Sequence, residues 1–138
     1  MDNSRYLFRG KRLCGTWREG QLYRLTNGNV YVLPMNHNGD ILLDSMRVDP
    51  ATIGQWTGLK DKNGKPVFEG DVMKRDRDPS IYTVIWDESG GRFLGIGKSY
   101  NEKHNAERYL LYISDELPKY GEIIGNIHDN PDLLEVNI

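Results

Sequence analysis

The chain has 138 residues, the length of one ordinary domain, and a formal net charge of -2 from 18 Lys and Arg against 20 Asp and Glu. That balance excludes a histone-like or tail-driven nucleic-acid binder, which would be strongly basic overall. Val, Ile, Leu and Phe make up about a quarter of the residues, above the roughly 20% below which chains stay disordered.

A modest core is therefore within reach, and 15 Gly with 8 Tyr favour strands and turns over long helices. The single cysteine, Cys14, excludes an intrachain disulfide and a Cys-based zinc site and suits a reducing compartment. The first residues lack the apolar stretch of a signal peptide. The charge-free run 28–39 is broken by Pro34, Asn36 and His37 and is too short to span a bilayer. The cytoplasm is the expected location, with no membrane partner. Charge is uneven: the first hundred residues carry a net +3 and the rest -5. Six basic groups, Arg5, Arg9, Lys11, Arg12, Arg18 and Arg24, face one acid, Glu19, in the stretch 5–24. This is a local patch for phosphate or an acidic partner, or the solvated face of a hairpin.

Strand-type alternation dominates the chain. Residues 15–25 read as a hairpin turning near Glu19-Gly20, and Asn27-Gly28 is a second turn. Residues 30–33 form a short strand ended by Pro34; Asn38-Gly39 turns again, and residues 41–48 are a further strand stopped by Asp49-Pro50. Gln55-Trp56-Thr57 is extended, 61–64 is a polar turn, and Pro66-Val67-Phe68 leads to a turn at Glu69-Gly70. Residues 71–75 make a strand and 75–79 a charged loop. Residues 81–86 are the clearest strand, apolar on both faces and so expected to be central and covered on both sides, with Trp86 in the core. A turn at 88–91 returns the chain into 92–96, pairing Trp86 with Arg92 and Ile85 with Phe93. Residues 98–105 are an exposed loop. Residues 107–113 are a strand rather than a helix, because Tyr-Leu-Leu-Tyr-Ile is apolar on every side. Residues 122–127 are the last strand. Asp129 or Asn130 then caps one helical turn with Pro131 in its first position.

Most chemistry-bearing motifs fail on spacing. Gly97-Lys98-Ser99 and Gly64-Lys65 lack the glycine and the following helix of a phosphate-binding loop. The stretch 61–68 has Gly64 in the wrong place for a calcium loop, and Lys60, Lys62 and Lys65 repel a dication. His37, His104 and His128 lack metal-ligand spacing. Cys14 has no nearby histidine, and no Gly-x-Ser-x-Gly elbow is present. Neither a catalytic set nor a metal or cofactor site is expected. Trp56, in the polar, glycine-flanked setting 54–58, is the best candidate among the three tryptophans for a surface contact.

The stretch 52–72, TIGQWTGLKDKNGKPVFEGDV, the ending 124–134, IGNIHDNPDLL, and the start, FRGKR followed by GTWREG at 15–20, together resemble the YopX family of phage and prophage proteins. The resemblance spans nearly the whole chain apart from 75–109. It implies an SH3-like barrel in the C-terminal region, and it carries no established activity or catalytic set to transfer.

The expected architecture is mainly β: an N-terminal meander (1–50) packed on a small SH3-like barrel (51–138) with a short C-terminal helical turn. The expected function is that of a non-enzymatic phage-type accessory protein that binds an acidic protein or nucleic acid. Its candidate contacts are Trp56, Lys60, Lys62, Lys65, Arg9, Lys11 and Arg12. Three lysines in one turn exceed what turn geometry asks for. Two alternatives stand beside this: a metal-dependent hydrolase-type enzyme using Asp76, Asp78 or His128, and self-assembly into homo-oligomers through unpaired strand edges.

Overall fold

The computed structural model describes residues 7–34, 44–76, 81–98, 108–112 and 121–135. The chain divides into two compact units, Met1–Trp56 and Thr57–Ile138, and both are built from antiparallel strands.

The first unit is a meander. Strands β1 (Phe8–Lys11), β2 (Trp17–Arg24), β3 (Val30–Leu33) and β4 (Arg47–Val48) lie side by side in chain order. The start of β5 (Gly54–Lys60) pairs with the free side of β1, Phe8 opposite Gln55 and Arg9 opposite Gly54. Alternation along the strands puts Val30, Val32 and Val48 on one face, where they form the core with Leu22 and Ile53 packed against them. Each buried valine contributes on the order of 1.5–3 kcal/mol through its removal from water.

Two expectations fail in this unit. Glu19-Gly20 is not a turn: β2 runs unbroken for eight residues, pairing with β1 through 17–20 and with β3 through 21–24. Gly20 is needed because a Cβ there would collide with the Leu33 carbonyl oxygen, so the glycine marks a close backbone approach inside a sheet. The strand expected over 41–48 shrinks to Arg47–Val48, preceded by a 3-10 turn at Asp44–Met46; residues 41–43 lie outside the described residues. The stop at Asp49-Pro50 holds. The Asp49 carboxylate accepts the Ala51 N–H at 3.0 Å and caps a 3-10 turn, Pro50–Thr52, with proline in first position.

In the second unit the end of β5 pairs with β6 (Pro66–Phe68), where the Thr57 hydroxyl donates to the Val67 carbonyl at 2.8 Å. Five further strands are β7 (Asp71–Arg75), β8 (Ile81–Asp87), β9 (Arg92–Lys98), β10 (Arg108–Tyr112) and β11 (Gly121–Asn126). They form a sheet in the order β10-β9-β8-β7-β11. The segment 108–112 is a strand, as expected from the apolar run that starts at Tyr109. Val67, Met73 and Val84 make the core, with Phe93 and Ile123 against them. The chain then turns at 127–129 into a 3-10 turn, Pro131–Glu135, with Pro131 in first position as expected. The Asn130 side chain accepts from the Asn126 N–H, back toward the strand, at 3.2 Å.

The fold is thus mainly β, in two antiparallel sheets with short helical turns. Among the described residues no ladder joins β10 to β11.

β8 is central in its sheet, but only Tyr82 and Val84 are buried, while Ile81, Thr83 and Ile85 on its other face are half-covered. Trp86 is not a core residue. It is 43% exposed, because it stands one pair beyond Val84, where the core ends. The pairing also differs by one residue from the expected one: Trp86 faces Phe93 and Asp87 faces Arg92. The four-residue turn 88–91 sets that register. Asp87 accepts the Ser89 hydroxyl at 2.8 Å and meets Arg92 at 3.6 Å across the turn. The Ser89 hydroxyl first, then the Gly90 and Ser89 backbone N–H groups and Arg92, hold the Asp87 carboxyl below its ordinary value.

Candidate binding surfaces

The lysine turn is built around Asp61, whose side chain is 4% exposed. Its Oδ1 accepts the N–H of Asn63 and of Lys65, both at 2.9 Å, and its Oδ2 accepts the N–H of Ile123, 62 residues away, at 3.1 Å. The backbone closes the same turn through Asp61 N–H to Lys65 O and Gly64 N–H to Asp61 O, with Gly64 at φ 81°. The Lys62 N–H donates to the Gly121 carbonyl, so the turn is also laced to β11. One buried carboxylate therefore satisfies three backbone donors and fixes a surface loop onto a strand.

The three lysines do not share one environment. Lys62 donates to Asp76 at 2.8 Å and lies 4.0 Å from Glu122. The Asp76 hydrogen bond raises its pKa above the ordinary lysine value, helped by the Asp76, Glu122 and Asp61 charges. Lys62 thus ties the turn to the end of β7 and the start of β11. Lys60 and Lys65 are exposed, on either side of the Asp61-fixed backbone.

The other candidates belong to the first unit. Arg9 stacks on Trp17, its guanidinium carbon 4.9 Å from the ring centroid. Lys11 stands directly opposite Trp17 in the β1–β2 ladder, and Glu19 directly opposite Arg9. Arg12 donates to the Thr16 hydroxyl at 3.3 Å within the turn 12–16. Cys14, exposed in that turn, lies 3.4 Å from the same hydroxyl, which with the Thr16 backbone and Arg12 lowers its pKa. Trp56 is half-buried at the end of the first unit, its N–H donating to the Leu7 carbonyl. It shares β5 with Lys60, but Gly58 between them takes φ 89°. That break in alternation means that spacing alone no longer puts Trp56 and Lys60 on one face.

Of the acidic groups considered for metal chemistry, Asp76 pairs with Lys62, and Asp78 lies outside the described residues. The His128 N–H is held by the Asn126 side chain, which also accepts the Asp129 N–H. Among the described residues no group of three His, Cys, Asp or Glu is placed to hold a metal ion. No helix among them is long and apolar enough to cross a membrane. Sequence reasoning missed Asp61 and Trp17. An Asp two residues before Asn-Gly is a known turn builder, but its third partner is distant in sequence. Trp17 could have been paired with the basic stretch only once β1 and β2 were seen as neighbours.

A family model described as YopX protein matches residues 8–135. No curated protein matches the chain. Among solved structures, the crystal structure of protein EF1440 from Enterococcus faecalis is similar, with a TM-score of 0.56 and 22% identity over 94% of this chain and 96% of that one. At that identity the likeness concerns the fold alone.

Proposed function

The chain belongs to the YopX family, and from that premise we propose a non-enzymatic accessory module of phage or prophage type that works by binding an acidic partner. The observation that carries this reading is the division of labour at 60–65. Asp61 and Gly64 account for the turn's geometry, Lys62 for its docking, and Lys60 and Lys65 remain exposed on a backbone that does not need their charge. A fixed backbone presents two cations at low entropic cost, which suits recognition of a carboxylate-rich or phosphate-rich surface. We read the second unit as an SH3-like barrel, a reading supported by the meander β7–β10 and by the return of β11 beside β7. In this reading the 60–65 turn is the barrel's contact loop.

The test is a pull-down from prophage-induced host cells with the wild-type chain and the Lys60→Ala/Lys65→Ala variant. The reading expects an acidic partner retained by the first and lost by the second, with unchanged urea midpoints. Recovery of the same partners by both would defeat it.

A further inference from the structure

We propose that the Lys62–Asp76 contact is an autoinhibitory latch: Asp76 occupies a cation that a carboxylate-rich protein partner recruits when it docks on the turn. The latch rests on the reading of the 60–65 turn as a contact loop and adds its regulation.

The root and the tip of Lys62 are held by different partners. Its backbone N–H donates to the Gly121 carbonyl at 3.0 Å, and the buried Asp61 carboxylate fixes the N–H groups of Asn63 and Lys65. None of these bonds uses the ammonium group. That group lies 2.8 Å from Asp76 and 4.0 Å from Glu122, and all three side chains reach water, Asp76 at 47% exposure. An ion pair this open gives little net stability, because water serves each charge nearly as well. Breaking it leaves the turn in place and releases a third ammonium group in the same turn as the exposed Lys60 and Lys65.

Both acids have an alternative when Lys62 leaves. Asp76 is already half in water just beyond the end of β7. Glu122 stands directly opposite Lys74, an exposed cation in the β7–β11 ladder that takes over its charge.

The occupant follows from what Lys62 grips. Its partner at 2.8 Å is a carboxylate, with a second carboxylate at 4.0 Å. An acidic segment of a partner protein offers the same groups on neighbouring side chains. A partner carboxylate that replaces Asp76 exchanges one ion pair for an equivalent one, and its neighbours gain Lys60 and Lys65 as well. A lone anion gains nothing by that exchange, so the latch favours partners that carry several carboxylates together.

The probe is a fluorescein-labelled oligo-glutamate peptide, titrated by anisotropy at low salt beside a labelled oligothymidylate. The latch expects the wild type to bind the peptide and Asp76→Asn to bind it about two- to five-fold more tightly, the range of an exposed ion pair. That gain vanishes in the Lys62→Met background, read as a double-mutant cycle. Glu88→Gln, which removes the same charge from another exposed turn of this unit, gives no gain. A gain that persists in Lys62→Met, or an equal gain from Glu88→Gln, is a general charge effect and overturns the latch. No gain in Asp76→Asn, with binding still lost in Lys60→Ala/Lys65→Ala, overturns the latch alone and leaves the contact loop standing. Peptide binding untouched by Lys60→Ala/Lys65→Ala, binding of the oligothymidylate alone, or no binding at all overturns the carboxylate-binding loop and the latch with it. Lys62, Asp76 and Glu88 are surface residues, so unchanged urea midpoints certify the fold of their variants.

Discussion

The turn at 25–29 and the turn at 61–65 close with the same two backbone bonds. In one, Leu25 N–H meets Asn29 O and Gly28 N–H meets Leu25 O; in the other, Asp61 N–H meets Lys65 O and Gly64 N–H meets Asp61 O. A third copy, 12–16, uses Arg12, Thr16 and Gly15. In all three the fourth residue is a glycine with φ between 81° and 99°, the three-residue hairpin loop with a left-handed glycine. The first residue is what differs. Leu25 leaves its turn on the surface, where only Asn27 adds a side-chain bond, to the Asn29 N–H. Asp61 buries its carboxylate, takes both inner N–H groups and reaches Ile123. A glycine is thus enough to bend the chain, whereas attaching the bend to the rest of the unit takes a buried acid.

The largest way to break this comparison is Asp61→Ala. It leaves three N–H donors without their acceptor, all three in partly buried bonds, and should cost about 3–5 kcal/mol in urea unfolding. Asn27→Ala, at the sister turn, should cost less than about 1 kcal/mol. Next come the glycines. Gly28→Ala and Gly64→Ala each put a Cβ into open space at positive φ, so both should lose about 1–2 kcal/mol, and equally. A much larger loss at Gly64 would show that the glycine, and not Asp61, holds that turn.

Smaller effects are read from pH. The raised pKa of Lys62 means that its ion pair contributes fully below the ordinary lysine value of 10.5 and is lost as pH rises through the higher folded value. The urea midpoint should therefore fall more steeply above pH 10.5 in the wild type than in Lys62→Met. Asp87 has the opposite sign. Its lowered pKa contributes above the ordinary value of 3.8, and that contribution disappears as pH falls through the folded value. Ser89→Ala removes the leading cause, so an NMR titration should show the Asp87 carboxyl moving back toward 3.8.

Local signals told the truth where the structure is local. Asn27-Gly28, Asn63-Gly64, Asp49-Pro50 and the turn at 88–91 all stand where their residue types require, and the β-branched run 81–85 is a strand. The failures have long-range causes. Gly20 resembled a turn glycine, but its reason is the carbonyl of Leu33 on the neighbouring strand. Trp86 was hydrophobic and on a core-facing position, yet the core stops at Val84. The partner of Lys62, Asp76, lies 14 residues on, where no local signal points to it. Asp61 passed for one polar turn residue among several because Ile123 is visible as its partner only after β11 is in place.

Amide hydrogen exchange at matched positions of the two sister turns tests most directly whether Asp61 holds the lysine turn in place. The account predicts slow exchange at Asn63, Lys65 and Ile123, the three donors to Asp61, with all three accelerating together in Asp61→Ala, while the Asn29 amide of the surface turn exchanges fast in both proteins. Exchange at Lys65 and Ile123 as fast as at Asn29 in the wild type would contradict it.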